Sequence, residues 1–365
     1  MIVDLNLLLN RAMTIPTEPI GSIPRPLELL DAINRYGSSN PVLDPLYDAA
    51  IRDTIEQFEA TGSPVVTDGE QRKYHNFATY CVDGLANTAP DGFKLPFSAG
   101  HTRRWPRLTG GPFRFRRYAY DFLEQARKYA HVPVKQAIIS PSALSLMYPP
   151  ESLPGYSREE FIMDLLDEHE KEIRGCFVKG AYNVQIDFTE GRLAVKIDPS
   201  GALLNSFIEL NNLALSRFSE EERSKIGVHT CPGSDRDSTH SAEVDYAELL
   251  PSLFELNAGN FYVAFAEERD RARVLKIIRQ YLKPGQTVFV GVVSPIDPRV
   301  EHPKEIRDRI LEAARYISVE QLGTTDDCGF SPFSDDTSTT REKAFAKIRA
   351  RVEGTALAEE IINGR

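Results

Sequence analysis

The sequence predicts an α/β protein of the (β/α)8 type, a TIM barrel, with an inserted hairpin between its second and third strands. Three observations carry that expectation. Eight short β-rich runs alternate with helical stretches along the chain. Many of the runs are apolar on both faces, as parallel strands are when both sides are covered. The length of 365 residues suits one enlarged barrel, although length alone would also suit two or three domains. The chain therefore reads as one domain over 1–365, with 83–120 as an excursion within it.

The eight runs are Thr14–Gly21, Pro64–Asp68, Val134–Ser140, Asn183–Phe188, Ile226–Cys231, Phe261–Ala266, Thr287–Val293 and Leu322–Asp327. Between the third and fourth, Arg158–Phe177 repeats Phe161, Leu165, Leu166, Ile173 and Phe177 at helical spacing. That gives one apolar face, and Gly180 is a suitable stop. Asp245–Leu256 predicts a helix before the sixth run. Glu301–Tyr316, with Ile306, Ile310, Leu311 and Ala314, predicts one after the seventh. Asp83–Tyr120 departs from the pattern, being rich in Gly, Pro, Arg and aromatics. Within it Phe113–Tyr118 alternates with a strand period, which predicts the extra hairpin there.

Composition narrows the function classes. Acidic residues number 53 against 43 basic, for a net charge of −10. That weighs against nucleic acid and anionic membrane as partners. With 41% hydrophobic and 26% charged residues, the chain is in the globular range rather than the disordered one. It has no apolar stretch of about 18 residues to span a membrane. Met1–Asn10 is apolar but short and carries Asp4 where a signal peptide has basic residues, so a cytoplasmic protein is expected.

The four cysteines are Cys81, Cys176, Cys231 and Cys328. In a large chain of this kind, metal binding or catalysis is preferred to disulfides. His229 and Cys231 are two apart on the fifth run and so share a face. Cys328 follows the eighth run. In a barrel both strands end at the same rim, which can bring the three together. One His and two Cys suit zinc with an open fourth position. The alternative is a strand histidine beside two buried free thiols. Cys81 and Cys176 read as inert buried thiols.

Motifs at seven strand ends occur in order. They are Ile20-Gly21-Ser22, Asp68-Gly69-Glu70, Ile139-Ser140-Pro141, Gln185-Ile186-Asp187, His229-Thr230-Cys231, Gly291-Val292-Val293 and Asp327-Cys328-Gly329-Phe330. Together they resemble the C-terminal catalytic barrel of cobalamin-independent methionine synthase and its single-barrel relatives. Those relatives include archaeal-type enzymes and epoxyalkane:coenzyme M transferase. The resemblance implies a zinc cofactor on His229, Cys231 and Cys328, which holds an acceptor thiol as thiolate for attack on an electrophilic carbon. It implies Ile20, Gly21, Ser22, Glu70 and Asp187 as substrate-binding residues, with Glu70 and Asp187 the catalytic carboxylates. Without it, Glu70 also reads as a helix-capping loop acid and Asp187 as half of an internal salt bridge. The implied activity is S-methyl transfer to homocysteine or a similar thiol, in methionine biosynthesis. The implied partners are a small-molecule thiol and an alkyl donor, and a homo-oligomer is allowed. A zinc lyase or hydrolase opening a small electrophile, or a non-catalytic protein with a degenerate site, are the alternatives.

The chain departs from the family pattern in several places. Ala264 stands where the family has a zinc-binding Glu. Glu267 and Glu268 follow, and they read as solvated loop acids. Val293-Ser294-Pro295-Ile296 lacks the family's histidine, and Leu144–Tyr148 lacks its tryptophan. The N-terminal duplicated barrel of the long enzymes is also missing. These departures put polyglutamyl methylfolate in doubt as donor. In the loop after Cys231, His240 reads as a surface histidine, with a ligand or acid–base role as the alternative. Residues 101–120 hold Arg103, Arg104, Trp105, Arg107, Arg114, Arg116 and Arg117. Given the acidic chain, they read as a subunit contact or a lid gripping an anionic substrate tail rather than a nucleic-acid surface.

Overall fold

The computed structural model describes residues 14–96, 102–233, 239–241, 243–333, 336 and 338–364. The segment Met1–Asn10, His101 and most of the loop between Pro232 and His240 lie outside the described residues. Two strands form an antiparallel hairpin, β1 (Thr88–Pro96) and β2 (Thr102–Leu108). Six more form one parallel sheet in sequential order: β3 (Gln136–Ile139), β4 (Val184–Asp187), β5 (Ile226–Thr230), β6 (Asn260–Val263), β7 (Thr287–Val293) and β8 (Leu322–Asp326).

The first two predicted strands close the ring with single parallel bridges. Thr17 bridges Thr324, and Val66 bridges Val134. Proline explains why these strands are shorter than predicted. Pro16 and Pro19 flank Thr17 and cannot donate to a ladder. The two segments meet where Ile23 N–H donates to Gly69 O at 3.0 Å and the Thr67 hydroxyl to Gly21 O at 2.8 Å. The (β/α)8 barrel is thereby complete, with helices between its strands.

The helices follow the predicted periodicity with trimmed ends. Arg158–Val178 starts at a capping box of Ser157 and Glu160 and buries Phe161, Leu165, Leu166 and Ile173. Asp245 caps Tyr246–Leu253 by accepting from Ala247 N–H. His302 caps Pro303–Ala313. The last helix, Arg341–Ile362, packs against Pro303–Ala313 at Gly354, where a Cβ would come within 2.5 Å of Ile306. Among the described residues, no helix is long and apolar enough to cross a membrane.

The hairpin is present between the second and third strands, but not where the alternation placed it. Phe113 and Phe115 are buried and Arg114 and Arg116 exposed, so the alternation in burial holds. Among the described residues no strand pairs with this segment, because side chains of helix Arg158–Val178 take most of its donors and Cys81 O takes that of Arg116. Phe113 N–H donates to Asp164 at 3.1 Å, Phe115 N–H to Glu168 at 3.2 Å and Ala119 N–H to Glu172 at 2.9 Å. The period of two reported a wall contact and not a ladder.

Inside the barrel, Glu18, Lys135, Asn183 and Tyr262 form a buried polar layer. The Tyr262 hydroxyl donates to Glu18 at 2.6 Å and the Asn183 amide at 3.1 Å. Lys135 Nζ is 3.4 Å from the Glu18 carboxylate and 4.0 Å from the centre of the Tyr262 ring.

Candidate metal centre and its cavity

His229, Cys231 and Cys328 converge at the carboxyl ends of the strands. All three are buried, and their ligand atoms lie within 4.8 Å of one another. β5 delivers two of them on one face, and the turn after β8 delivers the third. The two sulfurs are 2.9 Å apart. That contact holds the Cys231 thiol well below its ordinary pKa and pushes Cys328 up, so the pair shares one proton. His229 Nδ1 lies 3.3 Å from Tyr262 O, while Nε2 has no hydrogen-bond partner. A proton on Nδ1 leaves the Nε2 lone pair for a metal. The donor set and its orphaned nitrogen fit a soft divalent ion such as zinc.

Ala264 packs against both cysteines, so the residue at the usual glutamate position is an apolar neighbour of the sulfurs. Glu267 is exposed and Glu268 half-buried. Among the described residues neither belongs to the three-residue group.

The sequence-predicted substrate residues face the same centre. Ile20, Ser22, Glu70 and Asp187 line one cavity with His229, Cys231 and Cys328, of about 940 Å³ with its open mouth included. Asp187 pairs in register with His229 across β4 and β5 and accepts from Gln185 at 2.8 Å. Burial, with the Glu70 charge beside it, pushes the Asp187 carboxyl up to about 7 against the pull of His229. Glu70 has φ of 55°, a left-handed conformation rare for a residue with a side chain. The strained turn is held by Arg25, which donates to the carbonyls of Glu70, Gln71 and Lys73. Lys73 Nζ lies 3.0 Å from Glu70 Oε1, which fixes one carboxylate oxygen. Gly21 is beside Glu70, with an added Cβ 4.0 Å from Oε1. At Gly329 a Cβ would fall 2.1 Å from Ser22 Oγ, so the Cys328 turn needs glycine to press against Ile20-Gly21-Ser22.

Two expectations about the surrounding loops change. His240 is not a surface histidine. Its N–H and that of Ser241 both donate to Pro232 O, which folds the loop back and buries the ring against the cavity. Burial lowers its pKa to about 4, so the ring is neutral near pH 7. The second change concerns the indole. The chain's only tryptophan, Trp105, lines the cavity from β2, so the hairpin supplies an aromatic wall that the third strand lacks.

Of the arginines in the hairpin region, Arg103 and Arg104 line the cavity. Arg103 stacks 4.2 Å over Phe333 and lies 3.5 Å from Asp336, tying the hairpin to the loop after Cys328. Three others are used elsewhere. Arg114 pairs with Asp164 at 2.6 Å, Arg116 bonds the carbonyls of Asp83 and Gly84, and Arg107 lies 4.0 Å from Glu151. Cys81 and Cys176 are free and buried, and burial pushes both thiols up.

Sequence reasoning missed Lys73 and Glu190, and read Trp105 only as part of a basic and aromatic segment. Glu190 stands three residues beyond Asp187, at the start of helix Glu190–Ile197, and is buried in the cavity wall.

Residues 15–355 match the sequence family described as cobalamin-independent synthase, catalytic domain. The chain is 24% identical to the uncharacterized protein YxjH of Bacillus subtilis over 90% of this chain and 91% of that one. It is 22% identical to a methionine synthase of Sulfurisphaera tokodaii, over 96% and 94% of the two chains. Its fold resembles a B12-independent methionine synthase from a Shewanella species, solved with selenomethionine. That likeness has a TM-score of 0.76 at 17% identity and covers 96% of this chain and all, 100%, of the other.

Proposed function

We propose a function on one premise: the chain belongs to the family of the cobalamin-independent synthase catalytic domain. The proposed activity is zinc-dependent transfer of a methyl or small alkyl group to the sulfur of homocysteine or a similar thiol. The observation that carries it is the buried trio His229, Cys231 and Cys328, opening on a cavity whose wall also holds Glu70 and Asp187.

A zinc ion on these three residues would supply a Lewis acid that keeps an acceptor thiol deprotonated near neutral pH. The chain's own residues then bind and orient the acceptor. Asp187 and the second oxygen of Glu70 receive its ammonium, and the Ile20-Gly21-Ser22 turn receives its carboxylate. Trp105, Phe77 and Phe333 exclude water from the reacting carbon. The donor is proposed to be smaller than polyglutamyl methylfolate, because Val293–Ile296 and Leu144–Tyr148 lack the family's histidine and tryptophan. Ala264 favours a second reading, since among the described residues no fourth protein ligand joins the trio: opening of an electrophile by water, with no thiol added.

Zinc analysis with X-ray absorption tests the reading. About one zinc per chain is expected in the purified protein. Cys231→Ser and Cys328→Ser should each lose it. Homocysteine should add a sulfur to the zinc shell. An unchanged shell with every thiol tried would overturn the thiol reading, and turnover without thiol would establish the second one.

A further inference from the structure

Alkyl transfer needs a proton as well as a thiolate whenever the leaving atom is nitrogen or oxygen. The residues directly after β7, Ser294-Pro295-Ile296, have no histidine to give one. The cavity wall holds a carboxyl group that the reading above does not use. Glu190 is more than nine-tenths buried and lines the same cavity as His229, Cys231 and Cys328.

Its hydrogen bonds determine where a proton can sit. Oε1 accepts from the Ser140 hydroxyl at 2.5 Å and from the Ser142 hydroxyl. Each serine oxygen is itself bonded by an N–H donor. Ala143 N–H donates to Ser140 at 3.1 Å, and Asn211 Nδ2 to Ser142 at 2.9 Å. Ser142 Oγ also lies 3.1 Å from Asn211 Oδ1 and 3.3 Å from Ser140 Oγ, but Oε1 is the nearest acceptor for both hydroxyls, which crowds a proton off that oxygen. Oε2 is buried and has no hydrogen-bond partner. A proton on this carboxyl group belongs on Oε2.

We propose that Glu190 is the proton donor to the leaving atom of the alkyl donor. The proposal rests on the thiol-alkylation reading. As the S–C bond forms, the bond from that carbon to the donor's oxygen or nitrogen breaks. The bonding pair stays on the leaving atom, which takes the proton from Glu190 Oε2. The proton lost by the thiol on binding restores the acid. The net change is thiol plus alkyl donor to thioether plus protonated leaving group.

The environment keeps this carboxyl protonated when it is needed. Burial, opposed by the two serine hydrogen bonds, holds its pKa at about 7, with Asp187 adding a like charge from β4. The segment after β3 faces it with Ser140 and Ser142, and helix Ala202–Leu215 backs Ser142 with Asn211.

Two donors with homocysteine as acceptor test the proposal. Ethylene oxide leaves an oxygen that must be protonated, whereas iodomethane leaves iodide, which takes no proton. Glu190→Gln should lower kcat with ethylene oxide by about 10²- to 10⁴-fold and leave the iodomethane rate within about threefold. Glu190→Asp should recover part of the loss. In the wild type, an alkaline fall in rate should accompany ethylene oxide and not iodomethane. Equal losses with both donors would overturn the proposal. Infrared difference spectra of wild type against Glu190→Gln should show a protonated carboxyl band at pH 6, and its absence would also overturn it. If the wild type alkylates homocysteine with neither donor, the thiol reading fails with the proposal built on it, whatever the infrared band shows. Activity with iodomethane alone in both proteins would leave that reading standing and remove Glu190 from it.

Discussion

In the barrel's interior layer the charges meet partners: Lys135 faces Glu18 and the Tyr262 ring, and Asn183 completes the Glu18 carboxylate. At the strand ends above, His229 Nε2 and Glu190 Oε2 are equally buried and bond to nothing. Each unmet group costs about 1–3 kcal/mol of stability. One layer closes opposite charges on each other, with Lys135 Nζ set against Glu18 although it makes no hydrogen bond, while the next holds unbonded atoms on residues that line a shared cavity. This is the division expected in a barrel whose carboxyl-end rim carries chemistry. Burial alone does not tell a stabilising polar group from a working one. What faces the group does: an opposite charge for Lys135, a cavity for His229 and Glu190.

Five substitutions test that contrast. The largest effect is expected at the rim, in ligand loss rather than unfolding. Cys231→Ser or Cys328→Ser should abolish metal binding, read by metal analysis, while the melting temperature of metal-free protein moves little. In the interior layer the outcome should reverse. Glu18→Gln leaves Lys135 buried without its counter-charge, which should cost about 3–5 kcal/mol in urea unfolding and leave zinc content per folded chain unchanged.

The two layers should also respond oppositely to pH. Glu190, raised from 4.5 to about 7, binds its proton more tightly when folded. Its contribution is complete below 4.5 and is lost as pH rises through 7, a difference of ~3 kcal/mol. Lys135, lowered from 10.5 to about 8, makes stability rise with pH across that interval. Urea midpoints of Glu190→Gln and wild type should therefore diverge between pH 5 and pH 7.5, with the variant gaining. Parallel curves would place Glu190 with the closed layer. The smallest effect is expected at Trp105→Phe, which keeps an aromatic wall and removes a buried N–H that has no hydrogen-bond partner. Stability should shift by less than about 1 kcal/mol, with a larger change in KM than in kcat.

The fold was legible because strand and helix periods repeat and depend on local spacing. His229 and Cys231 were legible for the same reason, as two residues on one strand face. What escaped depends on distant parts of the chain. The Phe113–Tyr118 alternation looked like a strand because burial has the same period as pairing. Only the carboxylates of helix Arg158–Val178 separate the two. His240 looked solvated until the loop turned back on Pro232. Trp105 reaches the cavity from an insertion whose resting place no local pattern specifies. Glu190 opens a helix, where an acid is ordinary. Its role depends on serines about fifty residues earlier in the chain.

The bridges that close the ring divide the candidate site mechanically. The metal residues hang from strands of the continuous ladder β3–β8 and the turn that follows it. Ile20-Gly21-Ser22 and Glu70 hang from the two segments joined by single bridges and a few hydrogen bonds. Amide exchange is expected to be fast across 17–23 and 66–69 and slow in β4–β7. Under the proposed function, breathing at the seam would then open the acceptor's side of the cavity while the side of His229, Cys231 and Cys328 stays shut, so substrate and product could exchange without loss of a bound ion.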